Sequence, residues 1–222
     1  MTREELVYAV QEALQDDAWT ADHIASVLNR GYRAVAKGIL LPDKYQLTPP
    51  LPELYTVDTI DTAAGSGICD LPSDFNRNVV QVLNANAEDI HIEPSFVRFL
   101  SLHPGQDPGS VRTCAVKGKK LLYRDIPSTA ETLTVHYYQT PTLMTDEDDE
   151  PTGIPEHLQY PILVGYACAH FFNLIEDGVD GAKVNTGFWK NEHMQGLVDM
   201  EIVIGFDALP DYFEMSETER IA

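Results

Sequence analysis

The chain has 222 residues, which is enough for one or two domains, and its 44% apolar and 23% charged residues are typical of an ordinary globular protein. Its 35 acidic residues far outnumber 15 Lys plus Arg and give a formal net charge of -20. Because binding to phosphate backbones and anionic lipids depends on clustered cations, this charge argues against tight nucleic-acid binding and against binding to an anionic membrane.

Two amphipathic helices are predicted at the start of the chain. Thr2 and Glu5 form a capping box before the first helix, and Thr20 can cap the second helix, which Gly38 ends. This acidic amphipathic start is not typical of a signal peptide, and no apolar run approaches the ~20 residues needed to span a bilayer. We therefore expect a soluble protein made in the cytoplasm.

A β-rich segment is predicted after the proline-dense stretch "LTPPLPEL", where the apolar period changes from helical to alternating. The strand candidates are "ELYTVDTID", "NVVQVLN", "EDIHIEP", "VRTCAV", "KKLLYRD" and "TLTVHYYQT". Gly118 between two of them predicts a hairpin turn, and "PSFVRFLS" predicts one short helix.

The acidic run "TDEDDEPTGIPEHL" at residues 145–158 has three interpretations: a metal loop of the calcium-binding type, a catalytic cluster, or a solvated linker before a helix. Asp146, Asp148 and Glu150 alternate as calcium ligands do, but Pro151 stands where the turn of such a loop needs glycine. The linker interpretation is favoured, and Pro155 fits the first turn of a following helix.

Two apolar helices are predicted after this run. The first, within "YPILVGYACAHFFNLIEDG", is apolar on nearly every side, which is typical of a buried helix. The second carries Val184, Phe188, Trp189, Leu197 and Met200 at helical spacings. We expect Phe172 and Trp189 to be core residues of these helices.

The predicted fold class is α+β, a helical bundle made from both chain ends with an inserted antiparallel β-rich segment. Its parts are a helix pair at residues 1–50, the β-rich domain at 51–143, completing helices at 144–204 and an extension at 205–222.

No residues form a pattern for catalysis, cofactor binding or metal binding. The three cysteines are scattered without CxxC spacing, and the histidines contain no H-x-x-x-H pair. "AAGSG" lacks the lysine of a phosphate loop and the third glycine of a dinucleotide fingerprint. We therefore expect a protein that is not an enzyme and needs no cofactor or metal.

Residues 68–196 contain an ordered series of short motifs. They run from "CDLPSDFNRNVVQV" through "IHIEPSFVRFL" to the stretch that contains "LTVHYYQTP", the acidic linker and "IPEHLQYPILVGYACAHFF". The series resembles the head–tail adaptor (connector) proteins of tailed bacteriophages. The matching residues are Leu71, Pro72, Asp74, Phe75, Tyr137, Tyr138, Pro141, Pro155 and Glu156. Pro161 departs from the family pattern and implies a kink or a later helix start.

The resemblance implies a structural virion protein that forms a ring of about twelve copies under the portal and lengthens the DNA channel toward the tail. Its implied partners are further copies of itself, the portal protein and tail or nozzle proteins. DNA would pass through without tight binding. The alternatives are a virion stopper or tail-completion protein and an acidic soluble hydrolase.

The extension at residues 205–222 has no helical or strand period, yet it is rich in large apolar and aromatic side chains. Disordered tails are poor in such residues, so we expect these side chains to pack against a protein surface. The side chains either fold back onto the bundle or act as anchors on the portal or on a neighbouring subunit. The candidate anchors are Phe206, Leu209, Tyr212, Phe213 and Met215.

Overall fold

The computed structural model describes residues 1–15, 18–39, 41, 48, 50–102, 108–177 and 183–204. Its internal contacts divide the described residues into two compact units. The helical unit comprises residues 1–54 and 140–204, and the β unit comprises residues 55–139. The chain thus combines helices with sheets, which confirms the α+β class.

The helical unit begins with two capped helices, α1 (Arg3–Leu14) and α2 (Ala21–Ala36). The predicted capping box is present, because the Thr2 side chain accepts from the Glu5 amide and the Glu5 side chain accepts from the Thr2 amide. Thr20 caps α2 by accepting from the His23 amide at 3.3 Å. Both helices bury one apolar side, on which Leu6, Ile24 and Tyr32 are among the fully buried residues.

The later helices of this unit are α4 (Glu156–Gln159), a π-helical segment (Tyr160–Val164), α5 (Gly165–Ile175) and α6 (Val184–Ile204). The π segment and α5 contact α1, α2 and α6, so they form the centre of the unit. Ile162, Leu163, Val164, Cys168 and Phe171 are fully buried there.

Of the two outcomes that Pro161 implied, the later helix start is wrong. The helix starts before the proline, at Glu156, and the backbone stays right-handed helical on both sides of the π segment. Within it, the Gly165 amide reaches back to the Tyr160 carbonyl, an i→i−5 bond. A wider turn accommodates a residue that has no N–H and whose ring would collide with an α-helical carbonyl.

The β unit contains two sheets. Strands β1 (Tyr55–Asp61), β7 (Thr132–Gln139) and β3 (Phe75–Leu83) form an antiparallel sheet in the order β1-β7-β3. Strands β2 (Ile68–Asp70), β6 (Lys120–Arg124), β5 (Thr113–Lys117) and β4 (His91–Ile92) form the second sheet in that order. The short helix α3 (Phe96–Leu102) lies between β4 and β5 in the chain, as predicted.

Two features of the β unit were predicted incorrectly. Strand β2 was missed, and β4 pairs with β5 in parallel, so the second sheet is mixed rather than antiparallel. The hairpin prediction is confirmed, because β5 and β6 pair antiparallel across Gly118, whose φ of 62° suits glycine. The core of this unit includes the fully buried Val82, Leu121, Tyr123, Leu133 and Val135.

Candidate assembly surfaces

Two motifs of the phage-adaptor resemblance meet inside the β unit. The Tyr137 hydroxyl of β7 donates to the Asp74 carboxylate at 2.7 Å, and the rings of Tyr137 and Phe75 lie 5.9 Å apart. The Phe75 amide closes the turn before β3 by donating to the Pro72 carbonyl at 3.0 Å. Burial, with the Asp74 contact second, raises the pKa of Tyr137, so the hydroxyl stays protonated and keeps donating. These residues hold the sheet together and offer no open site.

The acidic run is fixed to the start of α1 and is more than a solvated linker. The Arg3 amide donates to the Asp149 carbonyl at 2.7 Å, and the Glu4 amide donates to the Glu147 carbonyl at 3.1 Å. The Asp149 carboxylate accepts from the amides of Thr145 and Asp146, and these bonds lower its pKa. The run therefore satisfies two of the amides that a helix start leaves unpaired.

Other side chains tie the segment after β7 to the first two helices. Asn29 of α2 bonds both backbone groups of Met144, at 2.9 and 3.0 Å, and the Tyr32 hydroxyl donates to the Thr152 carbonyl at 2.8 Å. The Met1 amino group donates to the Gln159 side chain at 2.7 Å. These bonds fix the returning chain on the N-terminal helices.

The start of α6 is capped by a side chain that the sequence analysis missed. The Glu176 carboxylate accepts from the amides of Asn185 and Thr186, each at 3.1 Å, and from the Thr186 hydroxyl at 2.6 Å. These bonds lower the pKa of Glu176. A carboxylate at a helix N-terminus is favourable because it meets unpaired amides and the positive end of the helix dipole.

Helix α6 carries apolar side chains in solvent. Val184 is 68% exposed, Phe188 55% and Ile202 74%. Met200 is fully buried, but Trp189, which we expected in the core, is only partly buried, as is Leu197. Because apolar residues surround this helix, their spacing alone does not indicate which side faces the core.

The expectation for Phe172 also needs correction. Phe171 is fully buried and Phe172 only partly. The Phe171 ring lies 4.8 Å from Trp19, 5.4 Å from His23 and 5.4 Å from His170. Adjacent residues of a helix point about 100° apart, so only one of the two rings can point directly into the core.

Two thiols and one imidazole among the described residues are held in their neutral forms by burial. Burial raises the pKa of Cys114 and Cys168 to about 12, so both stay protonated. The His193 ring donates from Nδ1 to the Ile162 carbonyl at 2.8 Å, and burial lowers the pKa of His193. Within the part of the chain that the structure describes, no three His, Cys, Asp or Glu residues are grouped to hold a metal ion. None of the described helices is long and apolar enough to cross a membrane.

The five candidate anchors, Phe206, Leu209, Tyr212, Phe213 and Met215, lie outside the described residues. Their role stays a prediction from the sequence. The last described residue, Ile204, is buried at the end of α6.

The comparison with known families covers most of the chain. No curated protein matches it. The model of the SU10 adaptor protein family matches residues 1–200, which include every described helix and strand except the last four residues of α6. The match contains residues 68–196, over which the series of adaptor-like motifs runs. The chain belongs to the SU10 adaptor protein family.

Proposed function

We propose that this protein is a head–tail adaptor whose copies form a ring under the portal of a tailed-phage virion and join the capsid to the tail. The family match over residues 1–200 carries this proposal. In this proposal the helices from both chain ends form one bundle, and the β unit is inserted between them. The protein acts as a structural part and not as an enzyme.

The net negative charge of the chain suits a channel wall that DNA passes without binding tightly. With 35 acidic and 15 basic residues, a ring of copies would repel phosphates over the ~10 Å range that salt leaves unscreened. A channel wall that bound DNA tightly would slow its passage. This function requires weak contact with DNA and tight contact with protein neighbours.

The residues beyond α6 are proposed as the portal anchor. Phe206, Leu209, Tyr212, Phe213 and Met215 supply large side chains of the kind that fill pockets at the centre of an interface. Deletion of residues 206–222 should leave a folded protein that no longer docks on the portal. Unchanged docking affinity would contradict the anchor role, and unfolding of the truncated chain would show that the segment belongs to the bundle.

Co-sedimentation with purified portal rings and with purified tails tests the proposed function. An adaptor binds portal rings in the absence of tails. A stopper or tail-completion protein, the second candidate, binds tails in the absence of the portal. Binding to tails alone would replace the adaptor role, and binding to neither would remove both.

A further inference from the structure

A groove runs along the helical unit between α2, α5 and α6. Two cavities of about 320 and 130 Å³ adjoin there, and the His193 ring lines both of them. All three helices contribute to the lining, with Ala34 from α2, His170 from α5 and Lys190 and Leu197 from α6 among the side chains. The groove therefore offers an apolar floor with a cationic rim.

The rim concentrates positive charge on an acidic protein. Arg30 and Arg33 are exposed and lie near Ala34 on the same side of α2. With Lys190 they are three of the 15 Lys and Arg residues of the chain. Arg30 is close enough to His170 to help lower the pKa of that ring, after burial.

The acidic residues of α6 do not cancel this charge. Glu192 and Asp199 are about 180–200° around the helix from Lys190 and therefore lie on its other side. Glu201 lies beyond Leu197, where it is buried and already engaged in an interaction of its own. Among the described residues, the acidic side chains of α6 thus leave the charges of Arg30, Arg33 and Lys190 uncancelled.

An acidic surface lies at the other end of α2. Glu4, Tyr8, Gln11 and Glu147 surround a hollow of about 400 Å³, with Ala21 at its edge. Tyr8 is 66% exposed. The 16 residues of α2 separate Ala21 from the groove end of the helix by about 24 Å, since a helix rises 1.5 Å per residue. One copy cannot bring its own acidic surface into its own groove.

We propose that the groove of one copy docks the acidic α1 surface of a second copy, with Tyr8 as the aromatic anchor and Glu4 and Glu147 facing the cationic rim. This interface rests on the proposed ring and identifies which two faces meet in it. Because the two faces differ, a docked pair keeps one free groove on one copy and one free acidic surface on the other, and repetition of the contact closes a ring or grows a filament.

Charge reversal on the full chain tests this pairing. The groove variant is Arg30→Glu with Lys190→Glu, and the acidic-surface variant is Glu4→Lys with Glu147→Lys. Arg112→Glu with Lys117→Glu is the control for the groove variant, because it makes the same charge change on exposed residues of the β unit. Self-association is measured by sedimentation velocity up to about 1 mM protein, the range of weak association. Circular dichroism checks that each variant is folded.

Each reversed variant alone should associate at least about tenfold more weakly than the parent, and the control should associate as the parent does. An equimolar mixture of the two reversed variants should recover association, because every groove then finds a surface of opposite charge. A parent that stays monomeric, a groove variant that associates normally, or a mixture that fails to recover would each overturn the pairing.

Two further experiments distinguish this pairing of the groove with the acidic surface from its alternatives. A chain truncated after Gly205 should associate as the full chain does; loss of association would show that the tail occupies the groove instead. The variants are also applied to portal rings. Normal assembly of both reversed variants there refutes the pairing but leaves the adaptor function intact. Failure of the parent itself to bind portal refutes the adaptor function.

Discussion

Two glycines of α6 allow one substitution to be tested against its own control. Gly196 lies where α6 crosses the π segment, and a Cβ built on it would meet Ile162 Cγ1 at 2.9 Å, Pro161 Cβ at 3.1 Å and the Ile162 backbone nitrogen at 3.2 Å. Gly187 lies in the same helix with nothing within 4 Å of a Cβ. The same change to alanine should therefore stabilise the protein at Gly187 and leave the Gly196 variant less stable than the Gly187 variant.

The magnitudes follow from two opposing contributions. Alanine in place of a helical glycine stabilises by about 0.5–1 kcal/mol, and both variants gain this. Overpacking of a filled site costs about 1–3 kcal/mol, and only Gly196→Ala incurs it because the atoms in its way include backbone. The difference in unfolding free energy between the two variants is therefore about 1–3 kcal/mol in favour of Gly187→Ala.

Urea unfolding followed by tryptophan fluorescence measures this difference. The two tryptophans, Trp19 and Trp189, both belong to the helical unit, so their emission reports on that unit without the β unit. Gly187→Ala should raise the midpoint and Gly196→Ala should lower it relative to Gly187→Ala. If Gly196→Ala is as stable as Gly187→Ala, the close crossing of α6 and the π segment is refuted.

Three further predictions use the same protein. Phe171→Ala should destabilise the helical unit by about 3–5 kcal/mol in urea unfolding, and Phe172→Ala should cost clearly less; equal losses would contradict the burial of Phe171 alone. Joint replacement of Asp146, Asp148 and Glu150 by Asn should preserve the fold, because like charges in solvent contribute little. Tight calcium binding by the parent in calorimetry, or unfolding of the triple variant, would contradict this prediction. Duplex DNA should not shift in a gel with the purified protein at physiological salt, and a shift that weakens steeply with added salt would argue for a DNA-handling protein.

Local signals in the sequence predicted local structure well. The Thr2 and Glu5 capping box, the Thr20 cap and the Gly118 turn each depend on residues close together in the chain, and the structure has all three. Strand β2 escaped prediction because three residues are too few to show an alternating pattern. The parallel pairing of β4 depends on which strand lies beside it, which no local pattern encodes.

Features set by tertiary contacts were harder to predict. Phe171 and Phe172 are adjacent and identical, so only the packing against Trp19 and His23 distinguishes them. Glu176 and Thr186 are ten residues apart and meet because α5 and α6 pack together. The negative charge of the acidic run was visible in the sequence, but its hydrogen bonds to the α1 amides could be recognised only from the folded structure. The groove combines three helices, and its cationic rim becomes visible only when they are brought together.

In the proposed function, copies of this chain form a ring on the portal. Electron microscopy of purified portal rings, with and without the purified protein, tests it most directly. The adaptor account predicts added density on the tail-facing side of the portal, arranged as a ring with an open channel coaxial with that of the portal. Portal rings that look the same with and without the protein, or density that plugs the channel, would contradict the account.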